Sequence, residues 1–246
     1  MSIQRISSGI KGLDEKIGGG FPKNSIILIT GNPGTGKTIF CINFLLEGLK
    51  NNESGVLVLT EQKTEDLKAD VLESMNINLE EFEQKRLLKI LELEPELSFS
   101  PKVFESEKEI GKIIKFYIFN LVEKIEKAVK EINAKRLVID SISILESFIK
   151  DEYLRRTALT FFIKRLKNLD VVTLITSSPS EKFKRLTISG ILEFLVDGII
   201  KLEYNPKSKE FKRTLTILKM RRSKHVEFIL PFHITNEGIK LIETSF

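Results

Sequence analysis

Short runs of consecutive apolar residues alternate along this chain with longer stretches in which apolar side chains recur every three to four positions. A run of the first kind is what a strand buried on both faces looks like, because a parallel sheet covered by helices has no polar face. The second kind is the apolar stripe of an amphipathic helix. On that reading Ser25-Ile26-Ile27-Leu28-Ile29-Thr30 is a buried strand, followed by a helix over 37–50 with Phe40, Phe44 and Leu45 on one face. Residues 55–60 predict a second strand, 64–75 a helix opened by Thr64 as its N-cap, and 87–93 a third strand. The longest helix is predicted over 110–133, and it leads into Arg136-Leu137-Val138-Ile139-Asp140, a central apolar strand that ends in a carboxylate. A helix over 151–169, a strand over 171–176 and a loop reaching Ser189 follow.

The pattern then changes. Residues 198–204 and 213–220 flank the polar turn Asn205-Pro206-Lys207-Ser208-Lys209, which predicts an antiparallel hairpin, and 239–243 adds a last strand. The sum is an α/β fold: a mostly parallel central sheet with helices on both faces and a C-terminal antiparallel hairpin extension. No internal repeat or interdomain linker interrupts it, so residues 1–246 read as a single domain.

Composition narrows the class of protein. A chain of 246 residues with 41% apolar and 30% charged side chains can bury a real core, unlike a disordered or collagen-like sequence. No apolar run approaches the roughly 18 residues needed to span a bilayer. Met1-Ser2-Ile3-Gln4-Arg5 opens neither a signal nor a transit peptide, so the expected address is cytoplasmic, with no membrane partner. Cys41 is the sole cysteine, and with His225 and His233 as the only histidines, an internal disulfide or a dedicated zinc site is not expected. The isoleucine- and lysine-rich makeup fits a thermophile or an AT-rich genome equally.

A net charge of +5 permits nucleic-acid contact without demanding it. Its distribution says more: residues 201–225 hold nine basic side chains against Glu203 and Glu210, whereas residues 61–107 hold thirteen acids against six bases. Segregated charge of this kind suits head-to-tail self-association as well as a polyanion.

The sharpest chemical signal is Gly31-Asn32-Pro33-Gly34-Thr35-Gly36-Lys37-Thr38, which fits G-x-x-x-x-G-K-[ST] between a predicted strand and a predicted helix. Glycines let the backbone wind so that successive N–H groups and a helix N-terminus face negative charge. Residues Asn32 to Thr38 are thus the candidate ATP cradle, with Lys37 neutralising the β- and γ-phosphates and the Thr38 hydroxyl on Mg²⁺. A second metal carboxylate is supplied by Asp140, at the strand end where open parallel sheets place their ligands. The residue after it is Ser141, not a glutamate, so a base must come from elsewhere. Glu61 ends the strand over 55–60 as Asp140 ends its own, and the two carboxylates should flank the γ-phosphate with a water between. Read alone, Glu61 is also a solvated acid at the start of the acidic stretch.

Glu61 with Asp140 and no adjacent glutamate resembles the RecA superfamily of ATPases. Within it, Gly9-Ile10-Lys11-Gly12-Leu13-Asp14, Gly18-Gly19-Gly20-Phe21-Pro22 and the phosphate loop are similar to the KaiC-like branch found widely in archaea, a KaiC/RadA-like branch. So are Lys219-Met220-Arg221-Arg222-Ser223-Lys224-His225, Pro231-Phe232 and Ile234-Thr235-Asn236-Glu237-Gly238-Ile239. The resemblance covers essentially the whole chain. It implies a ring, expected to be a hexamer, in which Lys219 and Arg221 act on the γ-phosphate of the neighbouring copy, with Ser223, His225, Thr235 and Asn236 near the phosphates, sugar or base. Pattern alone reads Lys219 and Arg221 as the outward residues of an alternating strand, and His225 as surface decoration.

Departures from the family matter too. KaiC itself has two such domains and phosphorylates hydroxyls in the second. At the corresponding place this chain has Glu193 and Phe194, although Thr187 and Ser189 lie nearby. Where many members carry two glutamates, this chain has Glu61-Gln62, which implies slow turnover because an amide takes no proton. No glutamine sensor stands at Ser177-Ser178-Pro179. The following loop carries Lys182, Phe183, Lys184 and Arg185, a combination that can hold a single DNA strand by charge and stacking. Three functions follow as alternatives: a ring-forming regulatory ATPase acting on an unidentified protein partner, a recombinase-like ATPase that binds single-stranded DNA through residues 177–189, and a non-catalytic nucleotide-gated scaffold.

Overall fold

Each apolar run becomes a strand whose alternate side chains feed two different cores. The computed structural model describes residues 3–93, 107–180, 185–208 and 210–243. Its N-terminal part pairs β1 (Arg5–Ile6) with β2 (Phe21–Pro22) around the single turn of α1 (Leu13–Lys16). Then follow β3 (Ile26–Thr30), α2 (Lys37–Lys50), β4 (Gly55–Leu59), α3 (Thr64–Met75), α4 (Leu79–Gln84) and β5 (Leu88–Glu92). The second half contains α5 (Glu107–Glu131), β6 (Arg136–Asp140), α6 (Ser143–Phe148), α7 (Glu152–Lys167), β7 (Val172–Ser177) and α8 (Leu192–Leu195). It closes with β8 (Gly198–Tyr204), β9 (Arg213–Met220), β10 (Leu230–Thr235) and β11 (Gly238–Leu241).

The main sheet has nine strands in the order β11-β10-β9-β8-β3-β7-β6-β4-β5. The segment from β8 to β5 is parallel, and β9, β10 and β11 extend it in antiparallel fashion. Because side chains alternate across a strand, Ile27, Ile29, Leu57, Leu59, Val138 and Leu174 pack on one face with Phe40, Phe44 and Leu45 of α2. On the other face Ile26, Leu28, Val56, Val58, Leu137, Ile139 and Ile175 pack with Ile118, Val122 and Ile125 of α5 and Leu159, Phe162 and Ile163 of α7. The consecutive apolar runs are therefore explained by two cores.

Two sequence expectations are corrected. Thr64 is the first helical residue of α3 and not its N-cap: Lys63 occupies the cap position without a side-chain bond, and the Thr64 N–H donates instead to Glu92 Oε2 at 2.9 Å. A carboxylate from the end of the neighbouring β5 thus satisfies the helix terminus that a threonine hydroxyl would otherwise serve. Between 220 and 239, where the sequence pattern suggests no element, the structure has β10, which pairs with β9 only at Leu230 and Pro231 before turning into β11. Short ladders of this kind tolerate a proline that lacks a donor.

One polar residue anchors the helix α2 to the sheet. Arg136 opens β6 and is 2% exposed, yet its guanidinium donates to Glu53 Oε2 at 2.7 and 2.9 Å and to the carbonyls of Ser7 and Phe44 at 2.8 Å each. It also lies 4.7 Å from the Phe44 ring centroid. Gly48 makes room for it, since a Cβ there would stand 2.3 Å from Arg136 Nε. Arg136→Ala strips a buried charge from Glu53 and two carbonyls at once, and is expected to cost about 3–5 kcal/mol, measured by urea unfolding.

Candidate functional site

Where β3 ends, the chain must turn into α2 within six residues, and it does so through left-handed glycines: Gly34 at φ 77° and Gly36 at φ 105°. Thr35 is buried and its hydroxyl donates to Asn32 O at 2.8 Å, which closes the loop on itself. Nothing lies within 4 Å of where a Gly34 Cβ would be, so the cradle is open at its tip. The fold therefore supplies what a polyphosphate needs: a wound backbone leading into a helix N-terminus. Lys37 stands at that N-terminus, and its ammonium donates to Gly31 O at 2.6 Å and Asn32 O at 3.2 Å. Burial lowers its pKa, and the nearby carboxylates of Asp140 and Glu61 oppose that shift. Lys37, Asp140 and Glu61 thus converge on one place, as the sequence anticipated.

Asp140 is fixed from both sides. Thr38 Oγ1 donates to its Oδ2 at 2.7 Å, and Thr176 Oγ1 at the end of β7 donates to its Oδ1 at 2.5 Å. A hydroxyl and a carboxylate are hard oxygen donors of the kind Mg²⁺ takes together with phosphate oxygens, so the residues fit that ion. Glu61 is held in turn by Ser141, whose Oγ donates to Oε1 at 2.7 Å. The Ser141 backbone is tied to Thr60, through N–H to Oγ1 at 3.0 Å and Oγ1 to O at 2.7 Å. Strand pairing explains the meeting, because Leu59 is in register with Asp140 across β4 and β6. Gln62 is turned away: its amide donates to Asp70 Oδ2 at 2.9 Å on α3.

The C-terminal residues divide into two groups. Thr235 and Asn236 form the β10–β11 turn beside the phosphate loop of the same chain. Thr235 Oγ1 donates to Gly238 O at 3.1 Å, Ile234 Cδ1 lies 3.0 Å from the Cβ position of Gly36, and Asn43 of α2 bonds Glu237 O and Ile239 N. Lys219, Arg221, Ser223 and His225 are elsewhere. Met220 and Lys219 pair with Gly198 and Ile199, and Gly198 pairs with Ile27, so this end of β9 lies at the start of β3 and not at its phosphate-loop end. At about 3.3 Å per residue the separation along the sheet is about 13 Å. Within the chain, Lys219 Nζ donates to Glu193 O at 3.0 Å and Val196 O at 2.7 Å, and burial and the Arg221 charge lower its pKa. Arg221 Nη1 is 3.7 Å from Asp197 Oδ1 and is half exposed. Ser223 Oγ donates to Ile17 O and accepts from Arg5 Nη1, and His225 Nδ1 is 2.9 Å from Val226 O.

Sequence reasoning missed Arg213. It opens β9 at the other end, where its Nη1 donates to Gly34 O at 2.7 Å while its guanidinium stacks 4.6 Å from the Tyr204 ring centroid. The hairpin pairing of Tyr204 with Arg213 was legible, but not that this end of the hairpin reaches the phosphate loop. Thr176 was also missed, since a threonine ending a buried strand carries no motif. Lys182, Phe183 and Lys184 lie outside the described residues, as does Lys209 of the hairpin turn. Arg185 donates to Ser189 O at 3.0 Å. Thr187 and Ser189 are buried, with Thr187 Oγ1 donating to Glu193 Oε2 at 3.0 Å. No helix among the described residues is long and apolar enough to cross a membrane.

Comparison with known proteins gives the family. The family model described as "ATPase: KaiC" matches residues 6–245. A UPF0273 protein of Thermotoga maritima is 35% identical over 96% of this chain and 95% of its own length. The circadian clock oscillator protein KaiC of Parasynechococcus marenigrum is 30% identical over 98% of this chain, which spans 45% of that longer protein. A crystal structure of a KaiC-like protein from the hyperthermophilic archaeon Pyrococcus horikoshii superposes with a TM-score of 0.82 and 32% identity, covering 98% of this chain and all of that one.

Proposed function

The chain belongs to the KaiC family of ATPases, and from that premise we propose that it hydrolyses Mg·ATP at the boundaries between copies of itself arranged head to tail in a ring. The observation that carries this reading is the division of the C-terminal residues. Lys219 and Arg221 stand at the end of the sheet opposite their own phosphate loop, which supports a role on a second copy's nucleotide. Arg221 keeps half of its side chain exposed for that purpose.

Each residue then has a task. The loop from Asn32 to Thr38 takes the phosphates on backbone N–H groups, and Lys37 leaves the Gly31 and Asn32 carbonyls for the β- and γ-oxygens. Mg²⁺ held by Thr38 and Asp140 would neutralise the charge that builds on those oxygens. Glu61, aimed by Ser141, holds the attacking water and takes its proton. Thr235 and Asn236 border the nucleotide from the same chain as the phosphate loop, and Lys219, Arg221, Ser223 and His225 close the site from the neighbour. Because Gln62 carries an amide, which takes no proton, and is turned toward Asp70, Glu61 works without a second base, and turnover is slow. Such a cycle suits a regulatory role in which the bound nucleotide sets affinity for a protein partner.

Steady-state hydrolysis measured against protein concentration tests the reading, with particle mass followed by light scattering in Mg·ATP. Specific activity is expected to rise with assembly and to be indifferent to single-stranded DNA at low salt. Full activity in a monomer overturns the shared site, stimulation by DNA favours a recombinase-like role, and tight ATP binding without multiple turnover favours a scaffold.

A further inference from the structure

We propose that Glu146 is a positioning residue for the hydrolytic site, an inference that rests on Asp140 and Glu61 being the metal and base carboxylates. Glu146 lies on α6, is fully buried, and takes no part in the phosphate chemistry described above. A carboxylate out of contact with water must be compensated by donors. It has three: Ser177 Oγ at 2.6 Å, Ser189 N at 3.0 Å, and Ser189 Oγ. Burial pushes its carboxyl above the ordinary range, and the serine donors oppose that shift. One side chain thus ties together α6, the end of β7 and the turn at 187–190.

Two of these segments reach the catalytic carboxylates, and the third adjoins the phosphate loop. Ser177 follows Thr176, which holds Asp140 Oδ1. Neighbouring side chains on a strand point to opposite faces, so fixing Ser177 from below sets the rotation of Thr176 above. The helix α6 begins just after Ser141, which aims Glu61, and the Ser143 N–H donates to Ser141 Oγ at 3.3 Å. Its first turn is stitched to β7 as well, with Ile142 N–H on Thr176 O at 3.0 Å and Ser178 N–H on Ser143 Oγ at 3.2 Å. The third segment directly follows Leu186, whose carbonyl accepts from Thr30 Oγ1 at the end of β3, one residue before the phosphate loop. Removing the Glu146 carboxylate leaves Ser177, Ser189 and the start of α6 without their common anchor, and Asp140 and Glu61 lose their aim without losing any direct contact.

The test reads metal geometry apart from turnover. With ADP bound, Mn²⁺ affinity measured by electron paramagnetic resonance should fall about 10- to 100-fold in Glu146→Leu, the range typical of lost support for a metal ligand. ADP affinity in EDTA should stay unchanged. Glu146→Gln should bind Mn²⁺ close to wild type, because its oxygen can accept from Ser189 while the Ser177 hydroxyl turns to accept from its amide. A folded Glu146→Leu protein with wild-type Mn²⁺ affinity overturns the proposal, and so does a Gln variant that falls as far as Leu. Should the Leu variant fail to fold, Ser189→Ala carries the test: it removes one donor and should weaken Mn²⁺ in the same direction, and an unchanged affinity overturns the proposal. If wild type with ADP binds no Mn²⁺, the metal assignment of Asp140 fails first and the proposal falls with it.

Discussion

Glu61→Gln protein is expected to bind ATP with near wild-type affinity and to hydrolyse it about 10²- to 10⁴-fold more slowly, the span that a positioned general base contributes. The substitution is nearly isosteric, and the bond from Ser141 Oγ to Oε1 at 2.7 Å can survive it, because the Gln carbonyl accepts as the carboxylate did. What disappears is the oxygen that takes a proton. Phosphate binding should be untouched, since in the proposed site Lys37 and the backbone of residues 32–38 carry it. The contrast between retained binding and lost turnover distinguishes a base from a structural acid, whose loss would lower both or neither. Equilibrium binding of a fluorescent ATP analogue and phosphate release on one preparation make the comparison. Turnover equal to wild type would return Glu61 to the solvated acidic stretch from which it was singled out.

How much of this was legible depended on whether the cause was local. Buried strands announce themselves in consecutive apolar residues, so β3, β4, β6 and β7 were placed within a residue of their observed ends, and the phosphate loop with its two strand-end carboxylates followed from them. The antiparallel hairpin was marked by its polar turn. The missed pieces have tertiary causes. Six residues of α6 are too few for a helical period, and the Leu230–Thr235 strand is broken in sequence by Pro231 and His233. The role of Glu146 is invisible in Ser-Ile-Leu-Glu-Ser, because its donors come from residues more than thirty positions away. Arg213 reads as one more charge on an alternating strand until the sheet order brings that end of the hairpin to Gly34. The Thr64 cap was misplaced for the same reason: the group that replaces it, Glu92, belongs to a different element.

Arg221→Ala protein is expected to assemble normally with ATP and to lose about 10³- to 10⁵-fold in turnover, the worth of a guanidinium that stabilises a transferring phosphoryl group. The loss should not follow the chain that carries the substitution. In this fold Arg221 and the phosphate loop occupy opposite ends of the sheet, with Met220 in register with Gly198 and Gly198 with Ile27, so no side-chain rotation brings them together within one copy. Mixing distinguishes this from any effect of Arg221 on its own subunit. Arg221→Ala supplies an intact phosphate loop without a finger, and Lys37→Ala supplies the finger without a competent loop. Each alone should be inactive, whereas co-assembled protein should regain activity at every boundary where the two intact halves face each other. Recovery demands a shared site, because neither chain holds a complete one. Verified co-assembly without recovery would mean that Arg221 acts within its own chain, through its contact with Asp197 and the neighbouring Lys219, and that the ring boundary lies elsewhere.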